Sequence, residues 1–275
     1  MNPDPDPDPD LDLDAYFERI GWSGATVPDF ETLARLVRAH MAAIPFENLD
    51  VLLGRPVRLD LGAVQAKLVR GRRGGYCFEH STLLAAVLDR VGFHPIRHSA
   101  RVTMAGPRSA APRTHMFLTV PLGGDTFVVD AGFGSLAPTF PVPLVDSQSP
   151  RDEATTHWMA RDGSFWVLRA QSDGKIIDAW ASTLEHDNPV DFEMANHYVS
   201  THPESPFVNR MLMRALTRDG RVTVMNRDVT IRRGAESQTS QLADRSALRT
   251  LLHDHFGIDL PQVERIRIPS IPEWV

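Results

Sequence analysis

The stretch GRRGGYCFEHST at 71–82 holds the chain's single cysteine, Cys77, behind Gly74, Gly75 and Tyr76 and ahead of an apolar, helix-forming run. A helix that starts at or just after Cys77 sets unpaired backbone N–H groups and the positive end of the helix dipole against the sulfur. That setting favours thiolate over thiol. The same N–H groups suit an oxyanion formed when sulfur attacks a carbonyl. Gly74-Gly75 lets the backbone bend tightly and leaves room for a substrate. A lone cysteine is also commonly an inert core residue, and the local pattern does not choose between the two fates.

A cysteine nucleophile needs a base, usually a histidine oriented by a third group. Composition selects none of the eleven histidines. Local pattern does more, because the runs THMFLTVPL and TFVVD flank Gly123-Gly124, the mark of a tight hairpin. A turn centred there sets His115 opposite Gly132 and Asp130 opposite Phe117. His115 and Asp130 then become diagonal neighbours on one sheet face, ~7–8 Å apart at their backbones. A carboxylate at that separation can fix an imidazole's orientation and stabilise the cation formed when a thiol gives up its proton. A one-residue slip would put the two on opposite faces, so the pairing depends on the turn. A partly buried strand histidine with an aspartate at the strand's end fits the same spacing.

Other groupings carry less chemistry. His253 and His255 stand two apart on a helical pattern, hence on different faces. Glu79-His80 lacks the spacing of a zinc-protease helix, and one cysteine excludes thiolate-rich zinc sites. Gly132-Phe133-Gly134 is too short for a dinucleotide fingerprint, and GxxxxGK[ST] does not occur. No metal is assigned.

The elements that must position these groups fall into three kinds. From Ala15 to about Gly92 the signals are helical. Asp29 opens a segment with Phe30, Leu33, Leu36, Val37 and His40 on one stripe, ending before Pro45. Asp60 can cap a helix with Leu61, Val64 and Leu68 on one face. Leu84, Val87, Leu88 and Val91 form the apolar stripe after Cys77, with Gly92 as its stop. The pattern then changes to period two: Ile96, His98, Ala100 and Val102 alternate, and further hairpins turn at Asp162-Gly163 and Asp173-Gly174. Residues 95–185 therefore read as an antiparallel, sandwich- or barrel-like unit. Beyond Asn188 the chain is mixed, with a short helix at about 190–199, a turn at Asp219-Gly220, and a late amphipathic helix carrying Leu248, Leu251, Leu252 and Phe256. Helices, then strands, then a mixture point to an α+β class.

The chain has 275 residues, 42% hydrophobic and 23% charged, the profile of an ordinary globular protein large enough for two or three cooperating domains. Its net charge of −6 comes from the opening MNPDPDPDPDLDLD, whose six aspartates set aside leave 29 acidic residues against 29 basic ones. That balance argues against nucleic-acid binding by charge. The Pro-Asp repeat, residues 1–14, is expected to be a solvated, extended, disordered tail. No apolar run reaches bilayer-spanning length, the acidic start does not read as a signal peptide, and one cysteine closes no intrachain disulfide. The cytoplasm is the expected compartment.

The segments IPFENLD (44–50), RGGYCFE (73–79), THMFL (114–118) and VDAGFGSLAP (129–138) resemble the arylamine N-acetyltransferase family. YFERIG at 16–21 and STHPESPFVNRML at 200–212 add to the likeness. The resemblance implies an N-terminal helical bundle (15–93) carrying the nucleophile and a β-barrel-like domain (94–187) carrying His and Asp. An interdomain helix and linker (188–212) and a C-terminal α/β lid (213–275) follow, around a papain-like Cys-His-Asp core. Carried over by motif, Cys77 is the nucleophile, His115 the base and Asp130 the orienting acid. Arg73 and Glu47 match the family's structural ion pair, and Phe46, Val102, Phe133 and Phe207 its apolar acceptor pocket. The Gly132 and Gly134 backbone is a candidate for approach to CoA phosphates.

The implied activity is acetyl transfer from acetyl-CoA, a cosubstrate, to arylamines, hydrazines or arylhydroxylamines through an acetyl-cysteine. Xenobiotic metabolism is the implied setting, with no metal or prosthetic group. Its partners are small molecules rather than nucleic acid or membrane, and a homodimer stays open. An amide synthase closing a macrolactam from a polyketide thioester and an aromatic amine shares these motifs and stands as the alternative. A cysteine protease fits less well. A binding module with an inert thiol is the non-enzymatic reading.

Overall fold

The computed structural model describes residues 11–104, 106–149, 156–172, 174–234 and 236–272. The chain opens with α1 (Leu13–Ile20), α2 (Phe30–Ala43), the two-residue strand β1 (Phe46–Glu47) and α3 (Leu49–Leu52). Then come α4 (Leu61–Gln65), prolonged by a π turn over Ala66–Arg70, and α5 (Cys77–Val91). The middle of the chain forms β2 (Ile96–Val102), β3 (Arg113–Leu122), β4 (Asp125–Val129), β5 (Val142–Pro143), β6 (His157–Asp162), β7 (Phe165–Ser172) and β8 (Lys175–Ser182). The remainder comprises α6 (Pro189–Thr201), α7 (Pro206–Asn209), β9 (Leu212–Thr217), β10 (Gly220–Met225), β11 (Asp228–Arg233), β12 (Glu236–Gln241) and α8 (Arg245–Phe256).

Helix starts follow the side chains that satisfy their free N–H groups. Asp12, Asp29, Asp60 and Asp244 each accept a first-turn N–H, of Ala15, Thr32, Ala63 and Ala247. Gly92, with φ 98°, ends α5 in the left-handed conformation. Leu33, Leu36, Val37 and His40 of α2 are buried as their spacing requires. Phe30 departs from that stripe: it is 47% exposed and lies against the Phe127 ring at 4.9 Å. The expected tail also ends sooner. Residues 1–10 lie outside the described residues, but Leu11 is buried and Asp12 caps α1, so the last four residues assigned to the tail belong to the folded body.

Among the described residues the strands form two antiparallel sheets. The larger runs β5-β4-β3-β2-β8-β7-β6. Its edge strands β5 and β6 meet, which curls it into a nearly closed barrel. The β3–β4 ladder pairs Leu118 with Val129 and Leu122 with Asp125, around Gly123 and Gly124 at φ 62° and 91°. Positive φ at both turn positions is the I′ geometry that two glycines favour, and the register is the one expected from the turn. The smaller sheet runs β1-β9-β10-β11-β12 and packs on α8. Its outer strand β1 comes from the helical part of the chain, so Phe46 and Glu47 are bonded to β9 as neighbours of Arg214 and Met213. No helix among the described residues is long and apolar enough to cross a membrane.

Candidate active site

Cys77 is the first residue of α5 and is 4% exposed. Its loop is held by buried charges. Glu79 Oε2 accepts the Tyr76 N–H at 3.1 Å, while its Oε1 receives Lys67 Nζ at 2.7 Å. Lys67 also bonds Asp50 at 2.9 Å, and Arg73 donates to Glu47 Oε1 through Nη2 at 2.7 Å and Nε at 3.0 Å. Arg73 and Arg55 also reach Asp50 Oδ1, each at 3.4 Å, so the expected Arg73–Glu47 pair is one arm of a network of six charged residues. Burial opposes the charges of Lys67 and Arg73, but the surrounding carboxylates outweigh it and raise both pKa values. Burial likewise opposes the Asp50 carboxylate, yet Lys67 and Arg73 hold it below its ordinary range. Removing one partner of such a pair typically costs about 3–5 kcal/mol, because the other is left as an unpaired buried charge.

The two glycines before Tyr76 serve this framework rather than a substrate. A Cβ on Gly74 would overlap the Pro45 carbonyl, and one on Gly75 would stand 2.5 Å from Glu79 Oε2. Their missing side chains admit the Pro45–Glu47 strand, which bonds to Gly75 through Glu47 N at 2.8 Å and Pro45 O at 3.2 Å.

Behind that strand runs a buried hydrogen-bond chain from Tyr16 through His40 and His80 to Pro45. The Pro45 carbonyl can only accept, so His80 Nε2 donates to it at 3.3 Å. His80 Nδ1 must then accept from His40 Nε2 at 2.8 Å, and His40 Nδ1 from the Tyr16 hydroxyl at 3.0 Å. Every proton is assigned, provided both rings are neutral. Burial keeps them so, taking His80 down to about 4 and His40 well below 6.5.

His115 enters from β3. Its Nε2–H donates to Asp130 Oδ2 at 2.9 Å, and the same oxygen accepts Trp180 Nε1–H at 2.8 Å. With Nε2 engaged, Nδ1 is left for the hydrogen bond that joins the ring to Cys77. Burial alone would make the imidazole less basic, but the charge and hydrogen bond of Asp130, and then Cys77, reverse this and raise its pKa to about 10. The structure therefore brings together the three residues that sequence placed in one constellation. Helix and strand meet at two points: Cys77 Sγ lies 3.9 Å from the Thr114 carbonyl, and Ser81 Oγ donates to the Met116 carbonyl at 3.0 Å.

Around this pair stands an apolar wall. The Phe133 ring meets His115 edge-on at 4.8 Å, Phe207 meets Tyr76 at 5.2 Å, and Phe46 meets Phe207 at 6.1 Å. Val102 is half-buried and pairs across the ladder with Trp180. Gly132 and Gly134 have a packing basis that sequence did not suggest. A Cβ on Gly132 would fall 2.5 Å from Cys77 Cα, and one on Gly134 would fall 3.2 Å from the Phe46 ring.

Several supporting residues escaped the sequence reading. Asn48, inside the PFENL block, bonds to Phe207 O at 2.8 Å, Arg210 O at 2.7 Å and Leu212 N at 2.9 Å, and so holds the Phe207 segment. Asn196 of α6 accepts from Tyr76 Oη and donates to Val57 O at 2.8 Å. Trp180 carried no local signal. Glu79, three residues after Tyr76, did stand at a capping-box spacing.

A cysteine at a helix N-terminus, an imidazole beside it and a carboxylate behind the imidazole are the groups that thiol-dependent acyl transfer requires. Fold and site together define an α+β acyltransferase. Residues 29–265 match the family model described as N-acetyltransferase. The chain is 38% identical over 263 residues to an arylamine N-acetyltransferase of Mycobacterium tuberculosis, covering 90% of each sequence. The structure superposes on that of Mycobacterium marinum arylamine N-acetyltransferase with a TM-score of 0.88 at 34% identity, covering 94% of this chain and 98% of the other. The same Mycobacterium marinum enzyme in complex with CoA gives a TM-score of 0.87 at 34% identity, with the same coverage. The chain belongs to the arylamine N-acetyltransferase family.

Proposed function

We propose that the protein transfers an acetyl group from acetyl-CoA to the nitrogen of arylamines, hydrazines or arylhydroxylamines in two half-reactions through an acetyl-Cys77 intermediate. The observation that carries this reading is the buried Cys77–His115–Asp130 contact at the start of α5. In the resting site the thiol proton resides on His115, and Asp130 stabilises the resulting imidazolium. The thiolate attacks the thioester carbonyl of acetyl-CoA, with the first N–H groups of α5 facing the developing oxyanion. The C–S bond to CoA then breaks, CoA leaves with the proton from His115, and acetyl-Cys77 and neutral imidazole remain. The acceptor amine attacks the acetyl carbon, His115 takes the amine proton, and collapse expels the Cys77 thiolate. One proton has moved from amine to CoA, and the ion pair is restored. Phe46, Val102, Phe133 and Phe207 supply the apolar surface on which an aromatic acceptor rests.

The test is intact-protein mass spectrometry after brief exposure to acetyl-CoA. A gain of about 42 daltons, one acetyl group on the nucleophile, is expected, and an added arylamine should discharge it. Cys77→Ala should show neither. Turnover in that variant at the wild-type rate ends the proposal.

A further inference from the structure

Arg214 lies in β9 with 5% of its surface exposed. Its hydrogen bonds go through Nη1 to two carbonyls, Gly134 O at 2.7 Å and Ala137 O at 3.0 Å. Its Nε has no partner among the described residues, and no carboxylate is among its hydrogen-bond acceptors. Burying a cation with no carboxylate hydrogen-bonded to it is costly, so a methionine or leucine would pack there more cheaply. The cost is visible in the guanidinium: burial and then Arg221 lower its pKa to about 9, with Asp130 acting the other way. A group kept under such conditions calls for a role beyond packing.

The segment it grips supplies that role. The Gly134–Ala137 turn follows Gly132, which packs on Cys77 Cα, and Phe133, whose ring faces His115. From the opposite sheet, His157 Nε2 donates to Leu136 O at 2.8 Å, so β9 and β6 hold the same turn from two sides. Across the ladder from Arg214 is Phe46, whose ring closes against Gly134.

We infer that Arg214 is a positioning residue for acyl transfer: its grip on the Gly134–Ala137 turn presses the Gly132–Phe133 backbone onto Cys77 and His115. The inference rests on the acyl-transfer reading above. The charged or titratable groups in its surroundings are Arg221 on β10, His157 on β6 and Asp130 beyond β4, which itself faces His115.

The experiment compares the wild type with Arg214→Met and Arg214→Lys in single-turnover acetylation of Cys77 by acetyl-CoA, followed by quenched intact mass from pH 6 to 9. A variant that is merely less stable loses burst amplitude, whereas misplacement lowers the rate constant of the molecules that do react. Arg214→Met should slow that constant by on the order of 10- to 100-fold. Its pH–rate profile should also differ from that of the wild type, because a cation coupled to the site has been removed. Arg214→Lys ends about one bond short of the Nη1 that donates to both carbonyls, so it should also react on the order of tenfold more slowly than the wild type. A wild-type rate constant in Arg214→Lys, or a wild-type rate constant and profile in Arg214→Met, overturns the inference. If the wild type is not acetylated on Cys77, it is the acyl-transfer reading that fails.

Discussion

Asp130→Asn separates the charge of the orienting acid from its geometry. Asp130 Oδ2 accepts from both His115 and Trp180, while Oδ1 is buried without a partner among the described residues. An asparagine oxygen at the Oδ2 position keeps both bonds, and the amide nitrogen falls where nothing was bonded. What disappears is the negative charge. Burial opposes the imidazolium of His115, and Asp130 is the largest of the effects that overcome it and bring the pKa to about 10. Without the carboxylate, burial is opposed only by Cys77, and the ring falls from about 10 back towards its ordinary 6.5. That drop corresponds to about 5 kcal/mol of lost imidazolium stabilisation. If the whole loss reaches the transition state, acetylation at neutral pH slows by on the order of 10³-fold. The assay is the single-turnover gain of acetyl mass on Cys77, with urea unfolding as a control for an intact fold. A folded Asp130→Asn protein that acetylates within tenfold of the wild type at neutral pH would refute the thiolate–imidazolium mechanism.

Two further outcomes follow from the packing. Gly132→Ala would place a Cβ 2.5 Å from Cys77 Cα and 3.2 Å from its carbonyl oxygen. Because the obstacle is backbone, the turn or α5 must shift, and acetylation should slow by on the order of 10²-fold in a protein that still unfolds cooperatively. Stability should also depend on pH in a defined way. His80 and His40 are neutral in the folded protein with pKa values lowered by burial, His80 to about 4. Below about 6.5 the unfolded chain binds protons that the native one refuses, so stability falls from there to about pH 4, by about 3 kcal/mol for His80 alone. The raised pKa of His115 acts oppositely: its contribution is full below 6.5 and fades as pH rises through about 10. Urea midpoints across pH 4–9 should show the acid-side loss reduced when His40 is replaced by Gln, and an unchanged slope would show that the relay does not titrate as assigned.

The parts of the fold legible in sequence are those encoded by local period. The alternation on either side of Gly123-Gly124 fixed a register, and the register fixed the face shared by His115 and Asp130. The stripe from Leu84 to Val91 and the glycine after it located α5. What stayed hidden joins residues far apart in the chain. Trp180 reaches Asp130 across fifty positions, His40 reaches His80 across forty, and Arg214 reaches Gly134 across eighty, so no spacing rule connects them. Glycines show a different limit. The missing side chains at Gly74 and Gly75 stand out in the sequence as room for a substrate, whereas protein atoms fill that space. A bare position tells where backbones approach, and only the structure tells which one.

The meeting of α5 with β3 shows how two local periods become one site. Val129 is the last residue of β4 in the ladder, so the β3 edge beyond Leu118 is no longer covered by that strand. The start of α5 takes its place, with Cys77 Sγ near Thr114 O and Ser81 Oγ bonded to Met116 O. Four residues of helix rise about 6.0 Å and two residues of strand about 6.6–6.8 Å. One turn of α5 therefore matches one full strand period almost without strain. That match puts the cysteine beside the residue between the two carbonyls, His115, whose side chain stands out of the sheet. Meanwhile the backbone after Val129 turns away, and Gly132 closes over the helix start. Continuing β4 by two residues would cover the edge where the cysteine must sit. The break in the ladder at Asp130 is thus the feature that lets a thiol carried by a helix face an imidazole carried by a strand.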